Sequence, residues 1–472
     1  MSCATIEDLP DEVLEYIFCL LPPYEDIRCC MLVCKKWCEI AKNIIPRIKH
    51  SFNEAISAQN VTWDTFYAEK DNITKRYAHS ACRHNDSMYV FGGFTSSFSS
   101  FNDLWKFDLS SRSWTRIGVQ GKCPVPKAGA TMATYKNKLI LFGGLLPPTF
   151  GMLFQNHRLS SHLHVYDIAT NEWSEINCNS SDFMMPELAG HSCTIHDDKM
   201  VIFGGLGDRL SVNDVYSLNL STMKWKLENI AGDKPPPRYG HSQVYIDNEN
   251  LMIMGGVDND PLFVFDDAWL LNMSNEVWTW KKIDLGVHAP LVRTVWCHPV
   301  CKVGKNIVVF KPNTGNPSMY ADWFPIQISR NTNSTQTRAQ EKETNLNGKR
   351  GILNRASQEE NLPDNKFKKS VCSKNIREFL SLNKYRTPIL EIHTIDTTNL
   401  LENGKLTSVK SKCRSLNCPT DTILYTIVEG NGELIMFGGI QRDIINYEDG
   451  TEEREIKIID TLHIIKAKRK II

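Results

Sequence analysis

Short apolar runs that end in a glycine pair recur along this 472-residue chain. They are MYVFGG at 88–93, LILFGG at 139–144, MVIFGG at 200–205, LMIMGG at 251–256 and LIMFGG at 434–439. Short runs rich in β-branched and aromatic residues, bounded by turn residues, are typical of β-strands. A glycine pair after a strand permits positive φ angles and a close approach of neighbouring backbones. The recurrence indicates a repeat protein built from β units.

The first four copies share one order of segments. A small-residue element precedes each run: YAHSA at 77–81, AGATM at 128–132, AGHSC at 189–193 and YGHSQ at 239–243. An alternating segment follows it: LWKFDL at 104–109, LHVYDI at 163–168, VYSLNL at 215–220 and AWLLNM at 268–273. A tryptophan ends each unit: Trp114, Trp173, Trp225 and Trp278. This order predicts a four-stranded antiparallel sheet per unit, and such sheets bury both faces by stacking radially as a β-propeller.

The fifth copy has no tryptophan after it. One more strand candidate follows its glycine pair, IKIIDTLHII at 456–465. The segment NVTWDTFYA at 60–68 carries Trp63 and belongs to no unit of its own. We therefore predict that this N-terminal segment supplies the missing outer strand of the last blade and closes the ring.

A degenerate unit lies between the fourth copy and the last. Its strand candidates are TVWCHPVCKVGKNIVVF at 294–310, with Lys311-Pro312 in place of the glycine pair, ILEIHTIDT at 389–397 and GKLTSVK at 404–410. The insert at 311–388 is polar and basic, and it lacks the apolar residues that would order it. The prediction is a propeller of six blades whose fifth blade is interrupted by a disordered insert.

Residues 6–41 have a helical rather than a β pattern. Val13, Leu14, Ile17, Phe18 and Leu21 fall at helical spacing after Pro10, and EDIRCCMLVCKKWCEIA at 25–41 is a second amphipathic run. A core of about 40 residues is too small to be stable alone, so these helices need a partner or a further helix. The predicted division is a helical module at 1–45, a short helical linker at 46–60, blades 1–4 and the start of blade 5 at 61–310, the insert at 311–388, and the remaining strands at 389–472.

Composition narrows the function classes. The 54 basic and 54 acidic residues balance, which argues against bulk electrostatic binding to nucleic acid or to an anionic membrane. No apolar run is long enough to span a bilayer, and the acidic start MSCATIEDLPDEV is unlike a signal peptide. The 15 cysteines then indicate reduced thiols in the cytoplasm, the nucleus or both.

Two families resemble parts of this pattern. The repeat length and the glycine pair resemble Kelch repeats. LPDEVLEYIFCLL followed by LVCKKWCEI resembles the F-box, with matches at Leu9, Pro10, Val13, Ile17, Phe18, Leu21, Val33 and Trp37. The resemblance to F-box proteins with Kelch repeats covers about residues 1–310 well and 389–440 loosely.

The resemblance implies a substrate receptor rather than an enzyme. The eight F-box residues would bind the Skp adaptor of a cullin–RING ubiquitin ligase, and the propeller would hold a protein substrate, which the family suggests is a nuclear transcription regulator. Catalysis would come from proximity, so no catalytic residue and no cofactor are expected here. A Kelch scaffold without ligase function is the alternative, and adaptor binding distinguishes the two.

The loops after the second strands are long and should lie on one rim of the propeller. The predicted substrate-binding residues there are Phe150, Phe154, His157 and Arg158, together with Lys127 and Arg238 from the loops after fourth strands. No metal site is expected. His79, His191 and His241 recur at one repeat position, which favours packing over an oxidase-type metal centre. Cys297 and Cys301 lack the second ligand pair of a zinc site and are expected to be buried strand thiols.

Overall fold

A computed structural model describes residue 6 and residues 9–67, 73–97, 99–147, 158–178, 184–208, 210–259, 264–286, 289–292, 295–312, 389–409, 418–446 and 452–468. All of these belong to one compact unit, residues 1–327 with 387–472. The second unit, 328–386, and the predicted disorder of the insert beyond Pro312 lie outside the described residues. Among the described helices, none is long and apolar enough to cross a membrane.

Three helices begin the described chain: α1 (Asp11–Leu20), α2 (Glu25–Met31) and α3 (Lys35–Ala58). Pro10 occupies the N-cap of α1, and two acidic residues follow it in the first turn, where they favour the positive end of the helix dipole. Single helical turns also occur at Ala289–Val292 and Leu400–Asn403.

Six four-stranded antiparallel units follow within the described residues, which confirms the predicted six-bladed propeller. From the inner to the outer strand, blade 1 is Ser80–His84, Ser87–Phe91, Leu104–Asp108 and Ser113–Ile117. Blade 2 is Thr131–Tyr135, Lys138–Phe142, Leu163–Asp167 and Glu172–Ile176. Blade 3 is Ser192–His196, Lys199–Phe203, Val215–Asn219 and Lys224–Leu227.

Blade 4 is Ser242–Tyr245, Asn250–Met254, Ala268–Asn272 and Trp278–Lys282. Blade 5 is Cys301–Val303, Asn306–Pro312, Leu390–Asp396 and Thr407–Val409. Blade 6 is Thr426–Glu429, Glu433–Phe437, Leu462–Ala467 and Val61–Phe66. The short strands Gln120–Gly121 and Ile230–Ala231 extend the outer edges of blades 2 and 4, and Leu145–Leu146 pairs with Arg158–Leu159.

The predicted closure of the ring is confirmed. The N-terminal strand pairs antiparallel with the last strand of the chain, and Trp63 lies opposite Ile465. Trp63 is fully buried and its ring makes an edge contact with Phe310 of blade 5. The tryptophan missing after the fifth copy is therefore supplied from the other end of the chain.

The prediction of one strand at 456–465 is wrong. Its first residues end the strand Glu452–Ile458, which pairs with Ile440–Asn446 and, through it, with Thr422–Ile423 in a separate three-stranded sheet. Only Leu462–Ala467 belongs to blade 6. An apolar run alone does not show where the chain leaves one sheet for another, because both sheets bury such residues.

A ring of backbone hydrogen bonds links the turns that precede the six inner strands. The N–H of each turn residue donates to the carbonyl of its equivalent in the preceding blade, at 2.8–3.1 Å. The six residues are Ala78, Gly129, Gly190, Gly240, Cys297 and Leu424, and all have φ between +51° and +64°. This shared left-handed backbone turns each N–H toward the neighbouring blade.

The glycine pairs provide a second set of bonds between blades. Gly93 N–H donates to the Lys127 carbonyl of blade 2 at 3.0 Å, and the second glycine of each other pair makes the same bond to the following blade. A Cβ atom on Gly92 would lie 2.4 Å from the Lys127 carbonyl oxygen. The pairs are therefore required by the closeness of the next blade.

Helix α3 passes through the predicted linker at 46–60, which agrees with the helical character expected of this segment. The helix continues to Ala58, and its C-terminal half packs Phe52, Ala55 and Ile56 into the core formed by blades 5 and 6. Ser57 Oγ accepts a hydrogen bond from Asn306 Nδ2 of blade 5 at 2.7 Å. One continuous helix thus joins the helical module to the propeller.

Candidate functional site

The helical module has its own small core. Leu14 and Phe18 of α1, Ile27 and Cys30 of α2, and Ile40, Ala41 and Ile44 of α3 are buried together. The Phe18 ring is 1% exposed and packs edge-on against Trp37, with ring centroids 4.9 Å apart. Phe18 therefore holds the helices together, and its predicted place on the adaptor-binding surface is wrong.

The other predicted F-box residues lie at or near the surface. Pro10, Val13 and Val33 are exposed, whereas Leu9, Ile17, Leu21 and Trp37 are half-buried and pack against the small core. Lys36 fixes the start of α1 through a 3.1 Å bond to the Leu9 carbonyl and a 3.0 Å ion pair with Asp11.

Further large apolar side chains are exposed on this module, among them Tyr16, Leu20 and Leu32. Tyr16 and Leu20 follow Val13 at helical intervals of three and four residues, which places all three on one face of α1. Leu32 is 86% exposed and Val33 58% exposed in the turn between α2 and α3. Large apolar groups exposed together are typical of protein-binding surfaces. The spacing of Val13, Tyr16 and Leu20 could have been noticed in the sequence, but nothing in it shows which apolar positions of a two-helix pattern face outward.

A buried polar network fixes the helical module against blades 1 and 6. Tyr24 donates a 2.5 Å hydrogen bond to Glu433 Oε1, and Arg112 makes two 2.8 Å bonds to the same carboxylate. Burial, followed by the nearby Glu433 charge, raises the pKa of Tyr24, so its hydroxyl stays protonated and donates. Asn431 donates to the Pro23 carbonyl at 2.8 Å, and Arg28 pairs with Asp86 of blade 1. The module is therefore held to the propeller by side chains from both.

The predicted substrate-binding rim is only partly described. Phe150, Phe154 and His157 lie outside the described residues, and Arg158 is exposed at the start of a short strand. Leu210, in the corresponding loop of blade 3, is 60% exposed. The structure thus places one of the predicted residues on an open surface and adds an exposed leucine.

Arg238 and Lys127 are buried, which contradicts their predicted role on an exposed rim. The Arg238 guanidinium is fully buried and makes bonds of 2.6 and 3.0 Å to the two oxygens of Asp267. Lys127 is 1% exposed, and its ammonium lies 3.3 Å from Ser160 Oγ. Sequence position in a loop does not reveal such partners, because Asp267 lies far along the chain.

The buried arginine motif occurs twice among the residues that the structure describes. In blade 4, Asp267 also accepts from Trp269 Nε1 at 2.8 Å, and Arg238 stacks on Phe265. In blade 1 the same arrangement is formed by Arg76, Asp103, Trp105 and Phe101. The paired guanidinium lowers the pKa of Asp103 and of Asp267 despite their burial. These groups serve the packing of the repeat.

The repeat histidines are also internal. His79, His191 and His241 each place Nε2 2.6–2.7 Å from a hydroxyl of the preceding blade: Thr426, Thr131 and Ser192 respectively. Each ring also packs against the phenylalanine before that blade's glycine pair. Burial lowers the pKa of His79 and of His191 to about 3, so both rings are neutral. The three lie at different blade junctions and form bonds between blades, as expected for packing residues.

Cys297 and Cys301 lie at the start of blade 5. Cys297 occupies the hydrogen-bonded ring of turns and not a strand, whereas Cys301 begins the inner strand. Burial raises the pKa of the Cys297 thiol to about 12 and also raises that of Cys301. Both are therefore protonated structural thiols at neutral pH.

Family models match both parts of the chain. Residues 6–45 match the model described as F-box-like, and residues 76–280 match the model described as FBX42, beta-propeller domain. The chain is thus similar to F-box proteins in its helical module and to Kelch-type β-propellers in its repeats. Within this class it resembles FBX42.

Curated relatives match the Kelch region. Kelch domain-containing protein 1 of Mus musculus is 30% identical over 258 residues, which is 50% of this chain and 61% of that protein. Acyl-CoA-binding domain-containing protein 5 of Arabidopsis thaliana is 30% identical over 44% of this chain and 30% of that protein. The chain therefore spans less than two thirds of these relatives. A solved structure of YjhT is 15% identical, with a TM-score of 0.48, and covers 81% of this chain and 98% of that one.

Proposed function

We propose that this protein is a non-catalytic substrate receptor of a Skp–cullin–F-box ubiquitin ligase, acting in the cytoplasm, the nucleus or both. The F-box binds the Skp adaptor, and the propeller holds a protein substrate, with a nuclear transcription regulator as the candidate class. Ubiquitin then passes from a recruited conjugating enzyme to a lysine of the substrate, which is marked for degradation. The rate gain comes from raised effective concentration, without a reacting group on this chain.

The observation that carries the proposal is the exposed apolar surface of the helical module. Val13, Tyr16 and Leu20 on α1, with Leu32 and Val33 in the following turn, remain exposed, whereas other apolar side chains of the module pack into its small core. Leaving five large apolar side chains in water is unfavourable, by roughly 25 cal/mol for each Å² that a partner could cover. A helical partner surface such as the adaptor would cover them.

The rigid attachment of the helical module to the propeller supports the same function. The network of Tyr24, Arg112 and Glu433, together with the continuous helix α3, holds the F-box in one orientation on the propeller. A fixed orientation sets the distance between bound substrate and bound adaptor, which transfer by proximity requires. The substrate itself would bind on the rim that carries Arg158 and Leu210.

Co-purification of the Skp adaptor tests the proposal. We expect the full chain to retain the adaptor, and the double variant Leu32→Asp, Val33→Asp to lose it at least tenfold, because two carboxylates would be buried without partners. Val277→Asp, at a similarly exposed apolar site on the propeller, is the matched control and should retain the adaptor. A folded chain that captures no adaptor, or equal capture by the double variant, would leave a Kelch scaffold as the function.

A further inference from the structure

Blade 2 departs from the repeated arginine motif at the start of its third strand. In blades 1 and 4 the buried arginine donates to an aspartate that also accepts a hydrogen bond from a tryptophan two residues later: Asp103 with Trp105, and Asp267 with Trp269. The corresponding residues of blade 2 are His162 and His164, and the arginine is replaced by Lys127. A motif used for packing elsewhere is thus replaced by two imidazoles in this blade.

A carboxylate completes the cluster. His162 directly precedes the strand Leu163–Asp167 and lies two residues before His164, so their side chains lie on the same face of blade 2. Glu175 of the outer strand pairs directly opposite His164. The three residues each offer one ligand atom, and these atoms lie within 4.8 Å of one another. His162 Nδ1 is 2.7 Å from Glu175 Oε1.

One side of the cluster is closed and the other open. His164 is 3% exposed, and its Nδ1 has no hydrogen-bond partner among the described residues. His162 and Glu175 are partly exposed and line a cavity between blades 2 and 3, next to Trp225 and Met185. An orphaned buried imidazole nitrogen costs free energy unless a ligand satisfies it.

We propose that His162, His164 and Glu175 form a binding site for a divalent zinc ion. Two imidazole nitrogens and one carboxylate oxygen are an established set of zinc ligands that leaves a fourth position for water. Bonds of about 2.1 Å in a tetrahedral site place the ligand atoms about 3.4 Å apart. Side-chain movements of roughly an ångström would bring the three ligand atoms, now within 4.8 Å of one another, to this separation. The ion would link the third and fourth strands of blade 2.

The groups around the cluster have opposing effects on the binding of a cation. His164 is buried in blade 2, and the Lys127 ammonium lies nearby. Lys127 itself opposes a cation, although burial lowers its pKa to about 8. Removing this ammonium should therefore strengthen zinc binding while removing a ligand weakens it.

Competition between the full chain and a chromophoric zinc chelator tests the site. We expect one zinc per chain that is lost in part from His162→Gln and Glu175→Gln, with at least tenfold weaker affinity in each, and lost entirely from His164→Ala. Lys127→Met should bind several-fold more tightly. His196→Gln, a histidine beside Asp197 on blade 3, is the matched control and should bind as the native chain does.

Cobalt absorption distinguishes this site from the chain's cysteines. The proposed nitrogen–oxygen site gives tetrahedral ligand-field bands without thiolate charge-transfer bands, and Glu175→Gln should need at least tenfold more cobalt to develop those bands. The exposed variants His162→Gln and Glu175→Gln keep the test valid if His164→Ala does not fold. Zinc affinity that is unchanged in both exposed variants, or cobalt bands of thiolate type only, would overturn the proposal.

Discussion

At the scale of single residues, the closed ring of turns depends on one backbone conformation. Six equivalent residues adopt positive φ, but only three of them are glycine. Ala78, Cys297 and Leu424 hold the same angles at a steric cost of about 1–2 kcal/mol each. The ring of hydrogen bonds compensates, because each of these N–H groups reaches the preceding blade.

A substitution to glycine and a substitution from glycine in this ring of turns should change the free energy of unfolding in opposite directions. Ala78→Gly should raise the free energy of unfolding by about 1 kcal/mol, since glycine adopts φ of +51° without strain. Gly129→Ala should lower it by a similar amount, because a Cβ there would meet no atom closer than 3.8 Å and only the backbone strain remains. Urea denaturation of the full chain measures both. Equal changes in the same direction would show that the φ angles do not control these positions.

At the scale of elements, the sequence predicts the blades well and the side-chain partners poorly. The five glycine pairs and the fixed tryptophan positions locate strands, and the orphan Trp63 locates the closing strand, because both follow from a repeated local pattern. Arg238 and Phe18 were expected at surfaces and are buried, since their partners Asp267 and Trp37 are set by tertiary packing. The His162 cluster escaped sequence analysis because its glutamate comes from the next strand.

The histidines that join adjacent blades give the propeller a pH dependence. His79 and His191 have a pKa of about 3 when folded against an ordinary 6.5, so the unfolded chain binds protons more readily between those values. Stability is therefore fully present above about pH 6.5 and declines as the pH falls. His191→Asn should reduce the slope of unfolding free energy against pH by up to about 1.4 kcal/mol per pH unit near pH 5.

Urea denaturation at several pH values between 7 and 4.5 measures this slope. The exposed histidine variant His50→Asn serves as the control and should keep the native slope. If His191→Asn also kept it, the His191 ring would not be held neutral in the folded protein.

At the scale of the whole molecule, the two ends of the chain meet in one blade. Helix α3 leads directly into the strand Val61–Phe66, which is the outer strand of blade 6. Closing the propeller therefore also fixes the orientation of the C-terminal end of α3. Phe52 and Ile56 of α3 share a core with Trp63 and Phe310, which makes the F-box attachment part of the propeller's own packing. This coupling suits the proposed receptor function, which requires two bound proteins at a fixed separation.

Ubiquitin transfer in a reconstituted ligase tests this account most directly. The full chain, the Skp adaptor, a cullin–RING core and a conjugating enzyme would be mixed with proteins captured from extract on the chain itself. The account predicts that these captured proteins become ubiquitinated with the native chain but not with the Leu32→Asp, Val33→Asp variant, although both chains retain them equally. Equal ubiquitination with both chains, or none with a native chain that has bound adaptor, would contradict the receptor function.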